Sequence, residues 1–521
     1  MLRGNTAVLY RRREPPQRRH ATLFRLPYSP KLHSRHYFSP YHSLTTNAAS
    51  NTGPTAVLPV VTRRSFDIVE DYDAVFNEHL NTLKREGRYR EFKTITRRAG
   101  HFPTAIQSES VFTLDDAGTK GFSIDSEVYK APPMLKNPGP VVSWCSNDYL
   151  GMGQHPHVLA AMRQALNAHG AGSGGTRNIS GTNMTHVRLE NILAEWHDKE
   201  AALVFANCFS ANQWSIIALA KLLPGLVILS DEENHASLIE GIRHSGAKKH
   251  IFRHNDLVHL ESLLSAYTSQ VPKLIIFESV YSMDGSVAPI TDLVRLAKKY
   301  AALTFIDEVH AVGLYGDSGA GVAERDGVMK DLDIISGTLG KAVGVFGGYV
   351  AASRNIIDVI RSSASGFIFT TSLPPVVCAG AVASVACLQT NVGRRLRDIH
   401  KQKTAYLKSV LTASHLPVHE NPTHIVPVMV GNAFKCKRMA DNLLQNHRIY
   451  VQPINFPTVA IGTERFRLTP SPVHTQLMIM DLKNALVQLW TAEKKAEQKR
   501  TDKKIEEEAE EDPNVIPCNP S

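Results

Sequence analysis

The sequence predicts an α/β protein: a mainly parallel sheet covered by helices in a large domain, followed by a smaller C-terminal α/β domain. Between residues 200 and 352, helical stretches alternate with five short apolar segments, at 202–206, 226–229, 273–277, 303–306 and 349–352. This alternation is typical of parallel strands joined by crossover helices. From about 395 to 490, a helix–strand–helix pattern predicts the second domain.

The 521 residues are enough for two or three domains with a large core. We expect an N-terminal segment at 61–140, a large domain at 141–390 and a small domain at 391–490. A helical periodicity covers about 66–96, and a proline-rich connector at 132–140 precedes a strand at 141–144. Residues 491–521 are rich in charge and poor in apolar residues, which predicts a disordered, solvated tail.

The net charge of +9 is concentrated in the first 50 residues, which hold eight Arg, one Lys and one acid, Glu14. This Arg-rich and hydroxyl-rich segment, 1–60, predicts an organelle transit peptide, with a disordered basic tail as the alternative. A mitochondrial matrix destination is preferred, although the composition also suits a plastid. The remainder is nearly neutral, so nucleic-acid binding is not expected. No run of 18 apolar residues exists, so no transmembrane segment is predicted.

Six cysteines are scattered along the chain without a CxxC pair. This spacing argues against a zinc site and against a disulfide framework. We therefore predict no metal and a reducing compartment.

Polar residues follow each predicted strand of the large domain. Because carboxyl ends of parallel strands meet at one sheet edge, these residues are expected to lie together. They are Asn207–Asn212 after the first strand, Ser230–His235 after the second, Glu278–Gly285 after the third, Asp307–His310 after the fourth, and Lys341 just before the fifth.

Lys341 stands among small residues, in Ser-Gly-Thr-Leu-Gly-Lys-Ala, where glycines permit close ligand approach. A phosphate-binding P-loop is excluded because Gly337 and Gly340 are too close and Ala342 follows the lysine. A lysine held this way can act as a nucleophilic amine, for which the best-known partner is pyridoxal 5'-phosphate (PLP). A surface lysine beside a turn is the alternative for an isolated Gly-Lys pair.

The partners that a PLP lysine needs are present at the same edge. Asp307 can keep the ring nitrogen protonated, His235 can stack on the ring, and His310 can reach the phenolic oxygen. Candidate phosphate groups are Cys208, Phe209, Thr338, Thr370 and Thr371. An Asp-x-x-His pair alone equally suits a metal site or a core pair, but the other loops favour PLP.

Two further segments carry candidate ligand groups. Arg88 and Arg90 stand near a predicted helix end, where they either interact with the helix dipole or form a carboxylate clamp. The small-residue run 170–182 is predicted to be a loop held against a ligand or another backbone, with a flexible linker as the alternative.

The motifs Ser-Asn-Asp-Tyr-Leu-Gly (146–151), Asn-His-Ala-Ser (234–237), Asp-Glu-Val-His-Ala-Val-Gly (307–313) and Gly-Thr-Leu-Gly-Lys (337–341) resemble those of the fold-type I α-oxoamine synthases. The segments 86–90, 170–182, 277–285, 366–375 and 450–458 are similar, more narrowly, to the 5-aminolevulinate synthase family. The resemblance covers roughly residues 66–490.

This resemblance implies a PLP-dependent acyltransferase that condenses glycine with succinyl-CoA to 5-aminolevulinate, CoA and carbon dioxide, the first step of haem synthesis. Catalysis would fall to Lys341, Asp307 and His310, and Arg467 would bind the glycine carboxylate. Ser279 would join the cofactor-binding set. The substrate-binding set would be Arg90, Asn147, Thr176, Ile179, Ser230 and Arg467. The family also implies a homodimer with shared sites, in which Thr370 and Thr371 reach the partner's phosphate.

The chain departs from the family in three places. The segment that resembles the active-site lid of the family, residues 457–462, carries Ala460 and Ile461 where relatives often have Pro and Arg. Val343 stands where an aromatic residue is common. Cys518 is followed by Asn, so the haem-regulatory Cys-Pro pair is absent. The rival functions are a sister synthase with another acyl-CoA or amino acid, which Arg90 disfavours, and a non-catalytic subunit, which the complete Lys341 constellation disfavours.

Overall fold

The computed structural model describes residues 72–107 and 139–511. The predicted transit segment, most of the proline-rich connector and Cys518 lie outside the described residues. Within them, no single helix is long and apolar enough to cross a membrane.

The N-terminal segment contains helix α1 (Tyr72–Arg85) and strands β1 (Ile95–Arg97), β2 (Thr104–Gln107) and β3 (Gly139–Ser143). The helix ends at Arg85, before the predicted end near 96, because Gly87, with φ +67°, turns the chain and the backbone becomes extended. Residues 66–71 of the predicted helix lie outside the described residues. Strand β3 pairs antiparallel with β2 and is not part of the large sheet, although the sequence placed it at the start of the large domain.

The large domain holds a seven-stranded sheet with helices on both faces. Its strands are β4 (Ala201–Phe205), β5 (Val227–Asp231), β6 (Lys248–Phe252), β7 (Lys273–Glu278), β8 (Leu303–Asp307), β9 (Ile334–Thr338) and β10 (Gly348–Ala352). Its helices are α2 (Pro156–His169), α3 (Met184–Trp196), α4 (Cys208–Leu222), α5 (Ala236–Ser245), α6 (Leu257–Ser265), α7 (Ile290–Lys299), α8 (Val322–Arg325), α9 (Arg354–Ser363), α10 (Ser365–Ile368) and α11 (Pro375–Leu388).

The strand order is β4-β10-β9-β8-β7-β5-β6, and every pairing is parallel except the two made by β10. The mainly parallel sheet is therefore confirmed. Two strands, β6 and β9, were not predicted. Strand β6, at the sheet edge, has the sequence Lys-Lys-His-Ile-Phe, and its polar residues do not form the apolar run that predicts a strand. Strand β9 ends in Ser-Gly-Thr, which shortens its apolar run.

Alternating side chains of the central strands enter two separate cores. Ile275 and Phe277 of β7 pack in one cluster with Ile306, whereas Leu274 and Ile276 pack on the opposite face. Every residue of β7 is buried. A strand buried on both faces reads as a continuous apolar run, which is why the sequence signal was clear here.

The small domain follows. It contains α12 (Asn391–Ala413), β11 (Val426–Met429), α13 (Ala433–His447), β12 (Ile449–Tyr450), β13 (Pro453–Ile454), β14 (Arg465–Leu468) and α14 (Gln476–Glu511). Strand β14 lies between β11 and β13 in an antiparallel sheet, and β12 pairs parallel with β3. The N-terminal segment is thereby joined to the small domain, and Trp144 packs in the core of that domain.

Helix α14 continues to Glu511, through much of the segment predicted as a disordered tail. Its outer turns are anchored by Arg438 and Lys435 of α13, which bond Glu493 and Glu497. Sequence composition identified the exposed, charged character of this segment but not these ion pairs, which favour the helical form.

Candidate active site

The predicted polar cluster forms at the carboxyl edge of the large sheet. Glu278, Asp307 and Thr338 are the last residues of β7, β8 and β9, which lie side by side. Lys341 follows β9 after a tight turn, and Arg467 enters from β14 of the small domain. The site therefore lies between the two domains.

Lys341 and His310 form the centre of the cluster. The Nζ of Lys341 lies 2.7 Å from the Nε2 of His310. Burial, reinforced by the positive charge of Arg467, lowers the pKa of Lys341 to about 8. Burial and the charges of Lys341 and Arg467 also hold the pKa of His310 well below its usual value. His310 therefore resists protonation, and Lys341 reaches its neutral form, which is a nucleophile and a base, at a lower pH than an ordinary lysine.

The neighbours of His310 fix which ring nitrogen carries the hydrogen. Its Nδ1 lies 2.9 Å from the hydroxyl of Tyr149 and 3.3 Å from Nη2 of Arg467. A guanidinium can only donate, so Nδ1 is the accepting nitrogen and Nε2 carries the hydrogen. His310 therefore donates toward Lys341, which requires the lysine amine to accept and so to be neutral.

Arg467 is buried and held on three sides. Its Nε donates to the carbonyl of Ser282 at 2.7 Å, Nη1 to Oδ1 of Asn147 at 3.1 Å, and Nη2 to the hydroxyl of Tyr149 at 2.8 Å. The structure thus brings together Arg467, Asn147, His310 and Lys341 as predicted. Tyr149 lies within one of the family motifs, but no sequence pattern indicated that its hydroxyl would join them.

Asp307 is buried beside this group, and its two carboxylate oxygens have separate donors. The amide of Val309 donates to Oδ1 at 2.8 Å, and Nδ2 of Asn212 donates to Oδ2 at 2.7 Å. Burial raises the pKa of Asp307, and these donors together with the charge of Lys341 oppose that rise. Asn212 was missed as a site residue, although its spacing of four from Cys208 on α4 places both on one helix face.

His235 lies at the start of α5 with its ring exposed, 6.5 Å from the ring of Phe209. Its backbone N–H donates to Oε1 of Glu278 at 2.6 Å. Glu278 is fully buried next to Asp307 across the β7–β8 pairing, and burial plus the Asp307 charge raise its pKa well above the usual value. Glu278 therefore holds its proton to a higher pH than an ordinary glutamic acid, directly beside Asp307.

Backbone amides for an anion stand at the first turn of α4. Asn207 caps this helix by accepting from the amide of Ser210, and the amides of Cys208 and Phe209 occupy the first turn, where no intrahelical acceptor exists. Thr338 lies on β9, three residues before Lys341. Thr370 and Thr371 are exposed, and Thr371 forms an isolated bridge with Thr176.

The remaining predicted residues fall into an exposed group and a buried group. Arg90 is exposed and lines a separate cavity of about 350 Å³ together with the lid residues Phe456 and Thr458. Ile179 is 72% exposed. Ser230 is buried, with its hydroxyl accepting from Nδ2 of Asn234 at 2.9 Å. Ser279 is also buried, and its amide extends the β7–β8 pairing to the carbonyl of Asp307.

These groups fit PLP. An amine of lowered pKa at Lys341, a carboxylate with a donor on each oxygen at Asp307, an imidazole at His235 and first-turn amides on α4 are the groups that an aldehyde, a pyridinium nitrogen, an aromatic ring and a phosphate require. Strand β10 approaches the first turn of α4 closely at Gly348, where a Cβ would lie 2.2 Å from the Cys208 amide nitrogen. No side chain larger than hydrogen is compatible with this approach of β10 to α4.

The family model for aminotransferase class I and II matches residues 139–486. Among solved structures, a serine palmitoyltransferase from S. paucimobilis with bound PLP superposes with a TM-score of 0.69 at 27% identity, covering 82% of this chain and 99% of that one. A serine palmitoyltransferase of Sphingomonas wittichii gives a TM-score of 0.69 at 26% identity, covering 82% and 98%. The fold and the site define a fold-type I enzyme whose cofactor is PLP.

Curated relatives identify the family within this class of PLP enzymes. The 5-aminolevulinate synthase of Paracoccus denitrificans is 52% identical over 421 residues, 81% of this chain and 97% of that protein. The erythroid-specific mitochondrial 5-aminolevulinate synthase of Opsanus tau is 51% identical over 420 residues, 81% and 68% of the two chains, and that of Homo sapiens is 48% identical over 424. The chain belongs to the 5-aminolevulinate synthase family and is a PLP-dependent acyltransferase of haem biosynthesis.

Proposed function

We propose that this chain joins glycine to succinyl-CoA, releasing CoA and carbon dioxide and forming 5-aminolevulinate, with Lys341 and Arg467 acting on the glycine. The observation that carries the proposal is that these two side chains share His310 within one buried cluster. A carboxylate receptor and a neutral base thus lie within reach of one small amino acid.

Each residue has a role that follows from its environment. The Arg467 guanidinium binds the glycine carboxylate by charge-assisted hydrogen bonds, with Asn147 and Tyr149 fixing its plane. PLP, when bound, supplies an electron sink for negative charge at the glycine α-carbon. Asp307 holds the proton on the ring nitrogen that this sink requires. Lys341 removes the α-proton and returns a proton after decarboxylation.

His310 orients the reacting groups. Its Nε2–H is available to an oxygen at the position that Lys341 Nζ now occupies, while Nδ1 is held by Tyr149. This donor suits the phenolic oxygen of the cofactor and the carbonyl oxygen of the thioester. His235 packs on the cofactor ring, and Ser279, Thr338 and the amides of Cys208 and Phe209 complete the cofactor site.

The acyl group is proposed to be recognised by its free carboxylate. Arg90 is the charged receptor, and Thr176, Ile179 and Ser230 complete the substrate site with it. A fatty acyl or acetyl group offers no second carboxylate, so Arg90 favours a dicarboxylic acyl thioester over these.

A homodimer is proposed as the functional unit. The loops around Thr176 and Thr371 are bridged, and they expose three large apolar side chains: Ile179 at 72%, Met184 at 77% and Phe369 at 79%. Such exposure on a loop pair that carries predicted ligand residues favours burial against a second copy. Thr370 and Thr371 would then contribute to the cofactor phosphate of the partner subunit.

The mitochondrial matrix is the proposed location. It is supported by the Arg-rich composition of residues 1–60 and by relatives whose names include "mitochondrial". Fluorescent-protein fusion of the full chain, with removal of residues 1–60 as the control, tests this location. Cytosolic fluorescence of the full chain would contradict it.

The reaction is tested with the purified, PLP-loaded chain. Glycine is offered with succinyl-CoA, acetyl-CoA or palmitoyl-CoA, and CoA release and aminoketone formation are followed. Preference for succinyl-CoA is expected. Turnover with another acyl-CoA alone would keep the Lys341 chemistry and move the enzyme to a sister synthase.

A further inference from the structure

A hydrogen-bonded path connects Asp307 to His235 through two side chains that have no assigned role. Nδ2 of Asn212 lies 2.7 Å from Oδ2 of Asp307 and 3.0 Å from Oγ of Ser237. Oγ of Ser237 lies 2.8 Å from Nδ1 of His235. Asn212 and Ser237 are each 1% exposed, so water does not replace these partners.

The donor and acceptor in each hydrogen bond of this path follow from the chemistry of the side chains. The amide nitrogen of Asn212 has two hydrogens, and the two acceptors use both. Ser237 Oγ therefore accepts from Asn212 and gives its own hydrogen to His235. The backbone amide of Ser237 also donates to Nδ1 of His235, at 3.2 Å. With two donors on Nδ1, the hydrogen of His235 stands on Nε2.

We propose that Asn212 and Ser237 are positioning residues that set the orientation of Asp307 and the tautomer of His235 as one unit. The inference rests on the proposed function only in assigning Asp307 and His235 to the cofactor ring. Asp307 would hold the ring nitrogen and His235 would lie on the ring surface, so one amide side chain would couple the two contacts to the ring.

The path also explains why a buried carboxylate stays in one orientation. The Val309 amide holds Oδ1 of Asp307, and Asn212 holds Oδ2. Loss of Asn212 removes the only side-chain donor to Asp307 among the hydrogen bonds of the described residues, and leaves Ser237 free to rotate. Loss of Ser237 leaves the Asp307 bond intact and affects the His235 contact alone.

The test compares Asn212→Ala, Ser237→Ala and their double variant in the full-length enzyme. The matched control is Ser215→Ala, because Ser215 is buried on the same helix and its hydroxyl has no partner in the described part of the chain. Two readouts need no turnover: the dissociation constant of PLP from the apoenzyme, and the pH midpoint of the absorbance of the bound cofactor.

We expect Asn212→Ala to weaken PLP binding by about tenfold or more, which is the usual size for one lost hydrogen bond to a charged group. It should also move the absorbance midpoint. Ser237→Ala should weaken binding less and leave the midpoint in place. The loss in the double variant should be smaller than the product of the single losses, because the two side chains act through one path.

Asn212→Asp guards against a variant that simply fails to fold. It has the same shape, and as a buried neutral acid it can restore one of the two donated bonds, so its loss should fall between wild type and Asn212→Ala. Unchanged PLP affinity and midpoint in folded Asn212→Ala, or equal losses in Ser215→Ala, would overturn the inference. Neither readout depends on which acyl-CoA is used, so this outcome is distinct from failure of the proposed reaction.

Discussion

The Nζ of Lys341 and the Nε2 of His310 lie 2.7 Å apart, and the other nitrogen of His310 is held by donors from Tyr149 and Arg467. The imidazole therefore points its single hydrogen at the lysine. This contact requires the amine to be neutral. The pKa of Lys341, lowered to about 8, makes the neutral form more available than in an ordinary lysine. The site is prepared for a lysine that reacts as a nucleophile and base.

The pH dependence of Lys341 reactivity follows from this environment. In the apoenzyme, the rate at which Lys341 captures the PLP aldehyde should rise with pH and level off above about 8. An ordinary lysine, with a pKa near 10.4, would keep gaining about tenfold per pH unit to pH 10. Stopped-flow absorbance measures the rate, and Nα-acetyl-lysine serves as the unburied control. A profile parallel to that control would contradict the assignment.

Arg467 should determine the affinity for glycine. Arg467→Leu is expected to raise the KM for glycine by more than about thirtyfold, because truncating one partner of a buried charge pair costs about 2–5 kcal/mol. The KM for succinyl-CoA should change much less. Arg465→Lys is the matched control, since Arg465 lies on the same strand but bonds the carbonyls of Thr463 and Met283. Equal effects on both substrates would refute the role.

Arg90 should act on the acyl substrate instead. We expect Arg90→Leu to raise the KM for succinyl-CoA by about tenfold or more, with the KM for glycine nearly unchanged. Arg85→Leu is the control, because Arg85 bonds Glu78 and Thr82 on exposed α1. Steady-state kinetics with each substrate varied in turn measures the two KM values separately. A larger effect on glycine than on succinyl-CoA would count against a carboxylate clamp.

A buried pair in the core of the large domain should affect stability without affecting substrate affinity. The hydroxyl of Tyr349 lies 2.7 Å from Nε2 of His197, and both residues are fully buried. Tyr349→Phe leaves that nitrogen unpaired, which should lower the free energy of unfolding by about 1–3 kcal/mol. Urea denaturation measures the loss. KM values that change along with stability would show that the pair also shapes the site.

The sequence was most informative where chemistry and burial coincide. Strands such as β7 were found because both faces are buried. Asp307 and His310 were singled out because they follow a predicted strand, and Lys341 because it stands among small residues just before another. Strands β6 and β9 were missed because one is polar at the sheet edge and the other ends in small residues. The placement of β3 with β2 and β12 depends on pairings distant in sequence, which local patterns do not encode.

The supporting residues of the site were harder to predict than the reacting ones. Asn212 and Ser237 are small polar residues on helices, a type that usually caps or faces solvent, and only the packing of α4 against α5 brings them together. Tyr149 likewise reaches Arg467 across 318 positions of sequence. Arg90 was predicted from a motif, and its cavity with the lid residues Phe456 and Thr458 is a feature that the motif alone did not contain.

We propose that Lys341 moves the α-proton of glycine. The most direct test is proton NMR of glycine in D₂O with the PLP-loaded enzyme and no acyl-CoA, comparing wild type with Lys341→Ala. We predict that wild type replaces one α-proton by deuterium, and that Lys341→Ala, although it still binds PLP and glycine by absorbance, exchanges at least about a thousandfold more slowly. Exchange by Lys341→Ala at the wild-type rate would contradict the claim and require another base.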